Sequence, residues 1–159
     1  MKVLGIDPGS NITGYGIIEK SRSGLKWTAH GEIRAPRNGS LSARLLKLHS
    51  EIARLIASAN PDAIAIEEIF CGKNVQSLIR QGHARGVAIL ASAQSGVPIF
   101  EYSPNEIKKA VVGYGHAEKG QIQSMVKVIL GISGTLSLDA SDALAIAICH
   151  SNFLKKESS

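Results

Sequence analysis

The chain has 159 residues, 44% of them apolar, so it is long enough for one domain with a full core and too apolar to stay disordered. A net charge of +5 and a pI of 9.4 favour an anionic partner, of which nucleic acid is the common one. No apolar run reaches the roughly 18 residues of a membrane span, no charged-then-apolar leader precedes the first strand, and Cys71 and Cys149 lack paired spacing, so reduced thiols in a cytoplasmic protein are expected.

Lys2 to Asp7 reads as a buried strand: Val3-Leu4-Gly5-Ile6 is an apolar run that ends in a carboxylate, and a tight Pro8-Gly9 turn follows at once. Tyr15 to Lys20 and Leu25 to Ile33 read as two further strands. The short connections carry Gly14, Gly16, Ser21, Ser23 and Gly24, so the three strands are expected to form an antiparallel meander. Leu41, Leu45, Leu48, Ile52, Leu55 and Ile56 recur at helical spacing and predict a helix over Leu41 to Ala59, capped by Ser40 and stopped by Asn60-Pro61. Ala63 to Ile66 is a buried strand ending in Glu67-Glu68. Strand, helix, strand in that order implies a parallel pairing with a crossover helix.

Asn74 to Gln94 predicts a second long helix, although Gly82 and Gly86 each cost about 1 kcal/mol against alanine. Val97 to Tyr102 is a fifth strand. Ser103-Pro104-Asn105-Glu106 is a capping box with proline in the first turn, opening a helix to about Val112. Gly113 to His116 is a loop, Ala117 to Leu130 a helix ended by Gly131, 132–138 a loop, and Asp139 to Phe153 the last helix. The expected fold class is therefore α/β, a mixed five-stranded sheet flanked by helices on both faces, in the order of the RNase H-like fold. Residues 1–154 would make a single RNase H-like domain, and 155–159 a polar C-terminal tail.

Four acids stand out. Asp7 and Glu67 each close an apolar strand, and sites in open α/β sheets form at the carboxyl ends of strands. Asp139 and Asp142 are three apart at a helix start and so share a face. Gathered in one cleft, four carboxylates would repel unless cations neutralised them. Oxygen-only ligands suit Mg2+, with Mn2+ as a substitute, and two ions about 3.5–4 Å apart can activate water against a phosphodiester. Blander readings fit each acid alone. Asp7 suits an ordinary strand-end turn, Glu67 and especially Glu68 a solvated surface, and Asp139 with Asp142 a helix cap and acidic first turn.

Gly5-Ile6-Asp7-Pro8-Gly9-Ser10, Thr13-Gly14-Tyr15-Gly16, Ala65-Ile66-Glu67-Glu68-Ile69-Phe70, Lys73-Asn74, Ala84-Arg85-Gly86 and Asp139-Ala140-Ser141-Asp142-Ala143-Leu144-Ala145 span nearly the whole chain. In these motifs and their order the sequence resembles the RuvC family, the bacterial crossover junction endodeoxyribonucleases that resolve Holliday junctions. The resemblance implies a homodimer making paired symmetric nicks in a four-way DNA junction, with 5′-phosphate and 3′-hydroxyl products. It implies that Asp7, Glu67, Asp139 and Asp142 are the catalytic, metal-binding acids, and it suggests a branch-migration motor complex of the RuvA and RuvB type as partner. It also suggests that Lys108 and Lys119 serve DNA at the site and that Phe70 works against an unpaired base.

On their own residues, Lys108 and Lys119 read as solvated lysines and Phe70 as core. Lys73, Asn74, Arg80 and Arg85 lie on or before the second long helix as candidates for phosphate contacts; Arg85 suits a structural ion pair equally well. Gly82 and Gly86 fit a close dimer contact or intrachain packing alike. Three other functions compete. Asp7-Pro8-Gly9-Ser10 with Gly14 also resembles the phosphate loop of actin-like sugar kinases, which need two lobes where this length holds one. An RNase H-like nuclease for RNA–DNA hybrids or other branched DNA would keep the acids. A non-cleaving junction-binding protein would not need them.

Overall fold

Alternate residues of the N-terminal run belong to two different cores: Val3 packs into one, Leu4 and Ile6 into the other, all fully buried. A strand covered on both faces must be apolar on both, which is why the run does not alternate with polar residues. In the computed structural model, which describes residues 1–69, 72 and 74–153, this run is β1 (Lys2–Asp7). It pairs antiparallel with β2 (Ile12–Ser21), and β2 pairs antiparallel with β3 (Gly24–Arg34). On its other side β1 runs parallel to β4 (Ala63–Glu67), which runs parallel to β5 (Ile99–Tyr102). The sheet order is β3-β2-β1-β4-β5. This is the mixed five-stranded, RNase H-like arrangement that the meander and the crossover helices predict.

Pairing carries β2 three residues further towards its start than expected and trims β5 to four residues. β5 first registers on β4 at Ile99, because Pro98 has no N–H to donate to a ladder.

Two helices cover one face. α1 (Leu41–Ala59) buries Leu48, Ile52 and Ile56, and α2 (Val75–Gln94) buries Ala84, Ala88 and Ala91 against Leu4, Ile6, Ile64 and Ile66. The Ser40 hydroxyl caps α1 by accepting from the Ala43 N–H at 3.2 Å, and Asn60 closes it in the left-handed conformation.

The other face carries α3 (Pro104–Val112), α4 (Lys119–Leu130) and α5 (Leu138–Phe153). The capping box of Ser103 and Glu106 starts α3 as expected. α4 starts two residues later than its apolar pattern suggests, since Ala117 is buried in the preceding loop and Glu118 with Gln121 forms the capping box.

α5 has no polar side. Every residue from Ala143 to Ser151 is buried, because the helix is enclosed between the sheet and α3 and α4. Glycine lets it lie this close: a Cβ built on Gly5 would collide with the Ala143 carbonyl. Cys149 is a free thiol on α5, and burial, with a smaller push from the Glu106 charge, raises its pKa to about 12. Among the described residues no helix is long and apolar enough to cross a membrane.

Candidate active site

β1 and β4 are registered up to Ile6 on Ile66. The next residues, Asp7 and Glu67, therefore leave neighbouring parallel strands at the same edge, their main chains roughly 4.8 Å apart. Alternation places both on the face of Val3 and Ala65, which is the face that α5 covers.

Across β1, Asp7 is registered on Gly14 of β2. A Cβ on Gly14 would collide with the Asp139 carbonyl, so the start of α5 rests on the hairpin directly beside Asp7. Asp142 lines a cleft of about 150 Å³ together with Glu67, Lys108, Ala117 and Ile146. Strand ends thus bring two acids, and the first turns of α5 bring two more, to one corner of the sheet. All four are half-buried. Glu67 and Asp142 share the cleft, and Asp7 and Asp139 stand on its β2 side. Among the described residues no three His, Cys, Asp or Glu side chains stand together closely enough to hold a metal ion as they are placed; the acids share a corner without meeting at one point. As a donor set they are oxygen-only and anionic, which fits a hard divalent cation and none of the softer metals.

The turn after Asp7 is fixed from within. Thr13, buried under it, accepts from the Gly9 N–H and donates to the Gly9 carbonyl, both at 3.3 Å. Arg44 Nη2 donates to the Ser10 carbonyl at 2.9 Å and to Asn11 Oδ1 at 2.8 Å. A kinase-type phosphate loop would aim its N–H groups outward. Here Pro8 has none, and that of Gly9 is turned onto Thr13.

The family model for crossover junction endodeoxyribonuclease RuvC matches residues 3–150. The chain belongs to the RuvC family. The crossover junction endodeoxyribonuclease RuvC of Geobacter sulfurreducens is 48% identical over 152 residues, covering 96% of this chain and 93% of that protein. A Thermus thermophilus RuvC structure superposes with a TM-score of 0.89 at 28% identity. T. thermophilus RuvC in complex with Holliday junction substrate superposes at 0.91 and 29%. Each of the two covers 99% of this chain and 97% of its own.

The other residues that the RuvC motifs single out are placed unevenly. Lys108 is half-buried in the cleft beside Glu67 and Asp142. Phe70 and Lys73 lie outside the described residues, and so does the side chain of Lys119, whose main chain opens α4. Asn74 is exposed and caps α2, its Oδ1 accepting from the Ser77 N–H at 3.2 Å. Arg80 is exposed and lines a separate cavity of about 280 Å³ with Arg34 and Arg44, on the α1–α2 face.

For Arg85 the structure shows the ion pair, which its sequence setting suited equally with a phosphate contact. Its Nε–H donates to the Glu67 main-chain carbonyl at 3.0 Å, and its Nη2 pairs with Glu101 at 2.6 Å. The guanidinium is committed inside the fold. Sequence reasoning missed Glu101, Thr13 and Arg44. Glu101 is the one charge in Ile99-Phe100-Glu101-Tyr102, but with its side chain 44% exposed it could stand solvated, so the sequence carried no signal for the pair.

Proposed function

We propose that this chain is a structure-specific endonuclease acting in the cytoplasm. It cuts Holliday junctions by paired symmetric nicks, one per protomer of a homodimer, leaving 5′-phosphate and 3′-hydroxyl ends. The observation that carries this reading is the convergence of Asp7, Glu67, Asp139 and Asp142 at one sheet corner in a chain of the RuvC family. The four carboxylates would hold Mg2+, or Mn2+ in its place, two ions per site. Bound there, the metal supplies activation of the attacking water and charge stabilisation at the leaving oxygen.

The chain's own residues do the rest. The strand ends fix Asp7 and Glu67 to rigid elements, and the packed start of α5 fixes Asp139 and Asp142. Lys108, from the side of the cleft, would pair with a phosphate oxygen as its negative charge grows. Phe70 and Lys119 are proposed, from the resemblance, as the base-stacking and second cationic contacts, and Lys73 and Arg80 as phosphate contacts.

A stripe on α2 supports the homodimer. Val75, Ile79 and Leu90 are 66%, 54% and 53% exposed. Gly82 and Gly86 fall between them at helical spacing. Among the described residues, nothing stands within 4 Å of a Cβ on Gly86, and one on Gly82 would meet Ile69 Cδ1 alone, at 3.9 Å. Packing among the described residues therefore gives little reason for these glycines, whereas the same stripe on a second copy would. A branch-migration motor of the RuvA and RuvB type would deliver the junction.

The test is incubation of the protein with a mobile four-way junction, a matched linear duplex and an RNA–DNA hybrid, in Mg2+ or in EDTA. Paired, Mg2+-dependent nicks confined to the junction are expected. Cutting of the hybrid would keep the metal chemistry and overturn the substrate. Binding without cutting would make the protein a junction-recognition module.

A further inference from the structure

Glu67 sits at the end of a strand, where a main chain frays unless something holds it. Its peptide is held on two sides. The Glu68 N–H donates to the Tyr102 carbonyl of β5 at 2.9 Å. The Glu67 carbonyl accepts from Arg85 Nε at 3.0 Å. Arg85 reaches it from α2, on the face of the sheet opposite the cleft. The same guanidinium is anchored by Glu101 at 2.6 Å, and Glu101 shares β5 with Tyr102 and is registered on Ile66. One planar fork therefore ties α2, the end of β4 and the neighbouring strand together, and its side chain is only 18% exposed.

We propose that Arg85 is a positioning residue for Glu67. With Glu101 as its anchor, it fixes the main chain at the end of β4 from behind, so that the Glu67 carboxylate stands at the cleft with little freedom. This rests on the reading of Glu67 as a metal-holding acid. Arginine is required because two acceptors at different angles must be met by one rigid group; a lysine ammonium offers a point charge on a flexible stem. Groups behind a metal's own ligands set their orientation, and losing one costs about 10–100-fold in metal affinity or activity.

The test uses Arg85→Lys, Glu101→Gln and Glu67→Gln, with three readouts. These are Mn2+ affinity of the DNA-free protein by calorimetry, junction binding by gel shift in EDTA, and the Mg2+ dependence of junction cleavage. Arg85→Lys should weaken Mn2+ binding about tenfold and raise the Mg2+ needed for half-maximal cleavage by a similar factor. Its junction binding in EDTA should match the wild type. Glu101→Gln should shift both metal readouts in the same direction by a smaller factor, and it carries the test if circular dichroism shows that Arg85→Lys does not fold.

A lowered melting temperature with unchanged Mn2+ affinity would make Arg85 merely structural and overturn the proposal. Weaker junction binding in EDTA with unchanged Mn2+ affinity would make it a phosphate contact and also overturn it. Glu67→Gln separates the two levels of inference. Full Mn2+ affinity in that variant would overturn the reading of Glu67 itself. Loss there with none in Arg85→Lys would overturn the positioning role alone.

Discussion

Gly14 lies directly under the main-chain carbonyl of Asp139, with no room for a side chain between them. The contact joins the β1–β2 hairpin to the start of α5, and through the Asp7–Gly14 register it sets where Asp139 stands relative to Asp7. Gly14→Ala should therefore act twice. Overpacking at this site should cost about 1–3 kcal/mol in urea denaturation. The displaced helix start should lower junction cleavage by about 10²-fold, the cost of a misplacement near 1 Å. Normal cleavage by a destabilised variant would show that the acids tolerate movement of α5.

Asp7→Asn keeps the size of the side chain and removes its charge. It should abolish cleavage and leave gel-shift binding to the junction intact, because a metal ligand is lost and not a phosphate contact. Mn2+ calorimetry on the same variant should show weakened binding. Parallel loss of junction binding and cleavage would contradict the role given to this acid.

Ile79→Asp puts a charge in the exposed apolar stripe of α2. Light scattering should show a dimer for the wild type and a monomer for the variant, since a buried unpaired charge is expensive at an interface. Circular dichroism should be unchanged, because Ile79 faces away from the core. Simultaneous nicking of two strands should then give way to single nicks.

His150 supplies a pH dependence. It is 2% exposed, its Nδ1 lies 2.7 Å from the Tyr102 hydroxyl, and the Phe100 ring is 4.3 Å away, centroid to centroid. Burial, and then the charge of Lys20, lower its pKa below the usual 6.5. The unfolded chain therefore takes up a proton that the folded chain resists. The stability associated with neutral His150 is complete above pH 6.5 and falls as pH drops below it. The Glu106 carboxyl is also lowered, chiefly by the hydrogen bond from the Ser103 main chain, but that loss belongs below the ordinary carboxylate value of 4.5. The melting temperature should fall between pH 7 and 5, and His150→Gln should flatten the slope in that window. A slope that survives the substitution would assign it elsewhere.

Ser141 sits between Asp139 and Asp142 with a buried hydroxyl that has no hydrogen-bond partner among the described residues. Ser141→Ala removes an unsatisfied group, so it should be neutral or stabilising by about 1 kcal/mol in urea denaturation. A loss of stability of that size would reveal a partner for the hydroxyl, such as an ordered water.

The residues that mark the elements were readable because their signals are local. Asp7 and Glu67 each end an apolar run, Ser103 and Glu106 spell their own cap, and the Ser21 to Gly24 turn dictates an antiparallel return. What escaped is non-local. Gly14 looked like a turn residue, and its contact with Asp139 links positions 125 apart in sequence. Arg85 was equally consistent with a phosphate and with an ion pair until β5 brought Glu101 beneath it. The start of β5 was overestimated because an apolar Val97 extends the pattern, while ladder pairing starts only after Pro98.

α5 is enclosed along its middle and carries two of the four acids at its start, yet its residues are the last of the described elements to be synthesised. A nascent chain bearing Asp7 and Glu67 has half the carboxylates and an open groove over Gly5 and Gly14. On the proposed reading of the four acids, cutting competence therefore needs α5 made and in place. By that reading, a chain truncated before residue 138 carries Asp7 and Glu67 without Asp139 and Asp142 and should not cut the chromosome.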